Sequence, residues 1–248
     1  MNRLSIQPLT ALGKKILWLA CLAAMPLLAE AQVQPGASAV LIEKGQKEAT
    51  IDLKNNSDEA VLLYSKVSKL PDDDLAGGVL YTVPQTVVVA PGGNQTVRVI
   101  YRGNKPLDRE HIARVLFSGL PPQEQAAGKV KFVIGQDLPV VIGVDPNVSE
   151  VDTWKLITFK QAQGKLCMSN PSRKVFRFDP SMSSAQTKAD ITFNKAYVLP
   201  GETLCQELTS PLAADASLTF NSVSSFNFML QHHVIQLSGQ VSSHSLSH

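Results

Sequence analysis

The chain has 248 residues, 44% of them hydrophobic, and 23 Lys and Arg against 21 Asp and Glu, for a formal net charge of +2. That length suits two domains of about 100 residues each rather than one large core. No cluster of Lys and Arg alternates with aromatics, so composition and charge give little support to a nucleic-acid partner, and none is expected.

The first element is a targeting segment. Arg3, Lys14 and Lys15 precede an apolar run, Ile16 to Leu28, which is followed by Ala29-Glu30-Ala31. A basic start, a short apolar stretch and a small-x-small site form the pattern of a secretory signal peptide, with cleavage expected after Ala31. The run is shorter than the about 20 apolar residues that a span requires and contains Pro26. A lipoprotein signal at Cys21 is the alternative, but the apolar stretch continues past Cys21 and Trp18 stands where a small aliphatic is usual. Losing Arg3, Lys14, Lys15 and Glu30 removes three positive charges and one negative, leaving a nearly neutral mature chain with no membrane span. Cys21 leaves as well. Cys167 and Cys205 remain, with no C-x-x-C spacing to suggest a redox or zinc motif. An even pair in an exported chain favours one disulfide, against the alternative of two separate buried thiols.

From Gln32 onward, short β-rich runs recur between Gly, Pro, Asn and Asp clusters. The pattern predicts strands over 38–43, 47–54, 60–68, 86–90, 95–102, 111–118, 129–144, 153–160, 164–169, 173–178, 189–193, 203–208, 217–221 and 226–240. Turns lie at Asn55-Asn56-Ser57-Asp58, Pro71-Asp72-Asp73-Asp74, Pro91-Gly92-Gly93-Asn94, Pro121-Pro122 and Pro200-Gly201-Glu202. Many short strands at this spacing read as β-sandwiches, hence an all-β fold. Asp145-Pro146-Asn147 interrupts the pattern near the middle. The expected organisation is therefore a signal peptide over 1–31, a sandwich over 32–146, a second over 147–241 and a flexible tail over 242–248. Ala49 to Lys54 alternates apolar and polar, as in a strand with one face in a core. The 129–144 segment is unusual. Val130, Phe132, Ile134, Leu138, Val140, Ile142 and Val144 share one parity, over more than the usual 5–6 residues of a strand. A long apolar edge invites pairing with another chain.

At this point a resemblance emerges. Val40-Leu41-Ile42-Glu43 and Ala49 to Asn56 resemble the first two strands of PapD-like pilus chaperones. Val89 to Arg98 is similar to their Pro-Gly hairpin and Val-Arg strand, Pro106 to Glu110 to their Asp-Arg-Glu motif, and Leu120-Pro121-Pro122 to the end of their sixth strand. These motifs keep the family's order over 32–146. In the second half, Lys165 to Pro171 and Tyr197 to Gly201 resemble the family more loosely, and the two spaced Cys resemble those of an alternate branch that serves thin surface fibres. The resemblance implies two immunoglobulin-like domains in a boomerang arrangement. It also implies a periplasmic, non-enzymatic chaperone that binds pilus or fimbrial subunits, with an outer-membrane usher as further partner and no cofactor. Within it, part of the long strand is lent to a subunit lacking its own last strand. Val130, Phe132 and Ile134 are the donor candidates, whereas Leu138, Val140 and Ile142 read as the domain's own core.

The chain departs from the main branch where that branch anchors the subunit's terminal carboxylate. The aligned positions are Ala39 and Val141, and neither can bind a carboxylate. Arg114, in Ile112 to Phe117, matches the alternate branch's cation and is the candidate anchor, a structural salt bridge being the other reading. Arg98, Arg102 and Lys131 are weaker candidates. Asp108-Arg109-Glu110 reads as a bracing loop and not a carboxylate pair. The five His, at 111, 232, 233, 244 and 248, do not converge in sequence, and no metal site is expected. His232 and His233 are adjacent, so in a strand they face opposite ways. The competing functions are a structural subunit or adhesin of the fibre, and an enzyme on the same scaffold, for which no nucleophile–base pairing appears.

Overall fold

The structure is a computed structural model and describes residues 32–120, 133–148, 152–184, 190–213 and 215–237. The expected signal peptide and C-terminal tail lie outside the described residues. The first half contains β1 (Val33–Pro35), β2 (Val40–Glu43), β3 (Glu48–Asn55), β4 (Val61–Lys69), β5 (Val79–Val83), β6 (Thr86–Val89), β7 (Asn94–Arg102), β8 (His111–Leu120) and β9 (Gln136–Val144). The second contains β10 (Thr158–Ala162), β11 (Lys165–Ser169), β12 (Phe176–Arg177), β13 (Ser181–Ser184), β14 (Asp190–Thr192), β15 (Tyr197–Val198), β16 (Thr203–Glu207), β17 (Ser217–Val223) and β18 (Met229–Gln236).

Two sheets enclose the first core, one in the order β1-β3-β7-β5 and the other β2-β9-β8-β4-β6. Strand alternation decides what enters it. Ile51 and Leu53 are buried while Asp52 and Lys54 face water, and Val97 and Val99 oppose them from β7. Val115, Phe117, Val140 and Ile142 close the core from the other sheet. The second core lies among β10-β11-β16, β14-β13-β17-β18 and the β12–β15 pair. It is more aromatic, with Phe178 packed edge-on to Phe193 at 5.6 Å and Phe176 to Phe220 at 6.3 Å between ring centroids. The expected all-β fold of two immunoglobulin-like sandwiches is what the chain forms.

The strand forecast needs four corrections. β1, β5, β13 and β15 fall outside the expected ranges. Residues 153–156 form a turn of 3-10 helix, not the start of a strand. The last strand starts at Met229 rather than 226, because 224–228 fold into its hairpin turn. The 129–144 strand is shorter in its described part: it begins at Gln136, and 133–135 lie outside the ladder. There Gly135 presses on Leu116 and Ser118, where a Cβ would come within 2.8–2.9 Å of their side chains. A glycine in strand context weakens pairing and marks such close approaches.

Gly143 has a sharper reason. The β2–β9 register shifts between Ile42 and Glu43, whose partners are Ile142 and Val144. Gly143 is the extra residue of this bulge, with φ of 84°.

One polar device occurs in both halves. Asn55 Nδ2 donates to the carbonyls of Glu59, Val89 and Ala90, and its Oδ1 accepts from Ser57 N and Oγ. Asn170 Nδ2 donates to the carbonyls of Lys174 and Val198, and its Oδ1 accepts from Ser172 N and Oγ. Each Asn also donates its backbone N–H to the far end of a Pro-Gly turn, at Gly93 O and Glu202 O respectively, both at 2.9 Å.

On the solvent face of β11 and β16, three successive cross-strand pairs are joined. Ser169 hydrogen-bonds Thr203, Cys167 and Cys205 form a disulfide, and Lys165 pairs with Glu207 at 3.3 Å. The expected disulfide is therefore present, joining residues directly opposite in the ladder.

Candidate functional site

β9 enters the sheet between β8 and β2, but not along its whole length. β8 pairs with it from Gln136 to Ile142, whereas β2 joins only from Val140 onward. Among the described residues, Gln136 to Pro139 therefore have a ladder partner on one side only. Pro139 has no N–H to offer, and on that side its neighbours have no ladder partner among the described residues, which leaves an edge that another strand can join.

Side-chain parity along β9 divides two tasks. Val140, Ile142 and Val144 are buried and Leu138 packs partly against the same core, as read from the sequence. Ile134 has the same parity but lies beyond that core and is 45% exposed. Val130 and Phe132 lie outside the described residues. The apolar series thus runs past the end of the core it serves, and Ile134 is its first described member without a place in it.

Arg114 projects from β8 opposite Pro139, on the solvent side of the same sheet. Its Nε lies 3.2 Å from both carboxylate oxygens of Asp137, and Nη2 donates to Asp137 O at 2.7 Å and lies 3.0 Å from Oδ2. The guanidinium is thus presented as a fork beside the open edge, already holding a carboxylate. Ala39 and Val141 are buried and apolar. Arg98 is taken by Glu48, and Arg102 lies over the Tyr81 ring at 5.9 Å. Lys131 is outside the described residues.

At the other end of β9, beyond the His111–Ile142 pair, the two sandwiches are tied together. Glu110, from the expected bracing loop, is buried. Its N–H donates to Arg173 O, its Oε2 accepts from Val175 N at 2.9 Å, and Lys174 Nζ stands 3.6 Å from Oε1. On another side Asp72 binds Lys195 and accepts from Tyr197 Oη at 2.8 Å, and Lys195 also reaches Glu202 at 2.6 Å. Partial burial of Asp72 works against its charge, but Lys195 and Tyr197 outweigh that and hold its carboxyl below the usual range. Burial, aided by the Asp72 carboxylate, raises the Tyr197 phenol. A cleft of 720 Å³ between the sandwiches is lined by Lys44, Arg109, Asp145 and Arg173 among others. Sequence reasoning missed Asp72, Lys174 and Lys195, because the pairs that join the sandwiches, Asp72–Lys195 and Glu110–Lys174, link residues more than 60 positions apart.

Among the described residues, His111 and His233 are buried in the fold. Ligand atoms of Asp73, Asp74 and His111 come within 4.8 Å of one another. The Asp73 oxygens, however, accept from Leu75 N, Ile112 N and His111, and Asp74 accepts from Ala76 N. Burial of Asp73 opposes its ionisation, but these donors prevail and lower its pKa. His232 is exposed and His233 buried, so the adjacent pair does face opposite ways.

The comparisons with known proteins agree with this geometry. Residues 32–143 match the family described as "Pili and flagellar-assembly chaperone, PapD N-terminal domain". The fimbrial chaperone YhcA of Escherichia coli K12 is 30% identical over 203 residues, covering 82% of this chain and 89% of that protein. The fold is similar to a chain of the Salmonella enterica SafA pilin–SafB chaperone complex, with a TM-score of 0.68 and 17% identity over 84% of this chain and 98% of that one. It is also similar to a chain of the Acinetobacter baumannii CsuC–CsuE chaperone–tip subunit complex, with a TM-score of 0.58 and 18% identity over 83% and 98%. With a relative of that identity along most of its length, and with the paired sandwiches and open-edged β9, this chain belongs to the family of PapD-like fimbrial chaperones, which are not enzymes.

Proposed function

We propose that this protein is a periplasmic chaperone that holds pilus subunits on the open edge of β9 by strand addition and passes them on for fibre assembly. Chaperone–pilin complementation is an established instance of that binding mode. The observation that carries the reading is β9 itself: its apolar parity runs on to an exposed Ile134 while its edge from Gln136 to Pro139 has one neighbour. An added strand would satisfy the open main-chain groups, and Val130, Phe132 and Ile134 would enter the subunit's groove. Each side chain so buried contributes about 1.5–3 kcal/mol. The proposed domain boundary is Pro146-Asn147, shortly beyond Val144 at the end of β9.

Arg114 is the proposed holder of the subunit's terminal carboxylate. It would exchange Asp137 for the incoming group, using the same planar fork. An outer-membrane usher is the proposed second partner. The cross-strand row Val88–Leu62–Leu120 on the outer face of the β4–β6–β8 sheet is exposed and apolar, and suits such a contact. A fibre subunit or adhesin would need an incomplete sandwich, whereas both cores here are enclosed by their own strands.

The test is co-production in a periplasm with candidate fimbrial subunits. The native chain should accumulate one of them in a one-to-one complex. Phe132→Ala and Ile134→Asp should lose that complex with little change in the free protein's melting. A collapsed melting temperature with binding retained by the folded fraction would defeat the donor-strand reading. Arg114→Ala should lose the complex and stay folded, and loss of folding instead would assign Arg114 a structural role.

A further inference from the structure

The β17–β18 hairpin ends in a tip that shows apolar side chains to water. Phe226 is 43% exposed, Phe228 66% and Met229 70%. Clusters of this kind on a soluble surface mark interaction sites more often than scattered single residues do.

The tip is firmly built. Arg177 Nη1 donates to the carbonyls of Ser224 and Ser225 at 3.0 and 3.1 Å, and its Nη2 donates to Asn227 Oδ1 at 2.7 Å. Ser224 N donates to Phe228 O at 2.8 Å, Asn227 N to Ser224 O at 2.9 Å, and Phe228 N to Ser224 Oγ at 3.1 Å. Asn227 takes the left-handed turn position with φ of 67°. Polar groups therefore fix the backbone while the large apolar side chains contribute little to any core.

Its location connects it to β9. Ser38 Oγ donates to Phe226 O, which joins the tip to the first sandwich. Ser38 lies two residues before Val40, whose parallel partner is Val140. At a rise of about 3.3 Å per residue, Ser38 stands level with Leu138, inside the stretch of β9 that β2 leaves open. The chain arrives at β2 from β1, which pairs with β3 in the opposite sheet, so it leaves the line beside β9 at this point. A strand added to the open edge would continue that line and run against the tip.

We propose that Phe226, Phe228 and Met229 form a second docking surface for the bound pilus subunit, contacting the apolar rim of the groove that receives β9. This rests on the donor-edge reading above. Aromatic rings give large contact areas at small entropic cost, and Met adapts to different partners, so the set suits subunits of varied sequence.

The test uses the full chain and the subunit that the native protein accumulates on co-production. The double variant Phe228→Ser/Met229→Ser should melt within about 2 °C of the native protein, since both residues are exposed, yet give about tenfold less complex, the loss expected of a modest hot spot. Phe228→Leu should restore most of it. Complex at native yield from the double variant overturns the proposal, as does a loss that follows a lowered melting temperature. Unchanged complex with altered self-association assigns the tip to a second copy of this chain and equally overturns it. Ile134→Asp runs beside these: complex lost there but kept in the tip variant defeats the tip alone. No complex from the native chain with any subunit defeats the donor-edge reading and this one together.

Discussion

Asn55 and Asn170 hold equivalent positions in the two sandwiches, each binding the turn that follows it and the strand before a Pro-Gly turn. Both are almost fully buried. Neither is a surface turn residue in the ordinary sense: each amide stands in for ladder bonds that the bending chain cannot make.

Replacing either Asn with Ala leaves several buried carbonyls and a serine without partners. Each unsatisfied group costs about 1–3 kcal/mol, so Asn55→Ala and Asn170→Ala should each lose about 2–4 kcal/mol in urea unfolding. An effect below 1 kcal/mol would mean that water replaces the amide readily.

The core behind β9 and the exposed end of its apolar series should respond differently. Phe117 is fully buried opposite Gln136, and Phe117→Ala should cost about 3–5 kcal/mol. Ile134→Asp should cost under about 1 kcal/mol in the free protein, because its side chain already meets water. Thermal melting of both variants checks the contrast, and equal losses would place Ile134 in the folded core.

The Cys167–Cys205 disulfide closes a loop of sequence separation 38. Chain entropy gives it about 3–4 kcal/mol at most. Cys167→Ala/Cys205→Ala should lower stability by up to that amount without altering the sheet register, because the Lys165–Glu207 and Ser169–Thr203 pairs flank it. Mass spectrometry of unreduced protein should find no free thiol at either residue.

His233 is buried, bonded to Ser222 at 2.8 Å and stacked on Trp154 at 4.0 Å. Burial, with a smaller contribution from neighbouring His232, pulls its pKa down to about 4. The unfolded chain therefore takes up a proton first, near the ordinary His value of about 6.5. Stability from this residue is complete above that pH and declines as pH falls toward about 4, by about 2–3 kcal/mol in all. Urea unfolding between pH 7.5 and 4.5 should show the decline, and His233→Leu should flatten it. An unchanged slope in the variant would assign the acid sensitivity to other groups.

Strand alternation placed much of the first sandwich in advance. Ile51, Leu53, Val97 and Val99 alternate with polar neighbours, and the Pro-Gly turns bound their strands. β5 has a local signal of its own that falls outside the expected ranges, the apolar run Val79 to Val83 between Gly78 and Pro84. β13 was not, since Ser181-Met182-Ser183-Ser184 has one apolar residue and is held by its neighbours. The site divided in the same way. The parity that joins Ile134 to Leu138, and the loss of charge at Ala39 and Val141, are properties of the residue string, because a strand's period is local. That β2 stops short of Pro139, that Asp137 takes Arg114, that Lys195 joins Asp72 from 123 residues away, and that the Phe228 tip stands beside Ser38 were decided by tertiary structure alone. Pairing between distant segments depends on which edges and charges the fold brings together, and no local pattern encodes that.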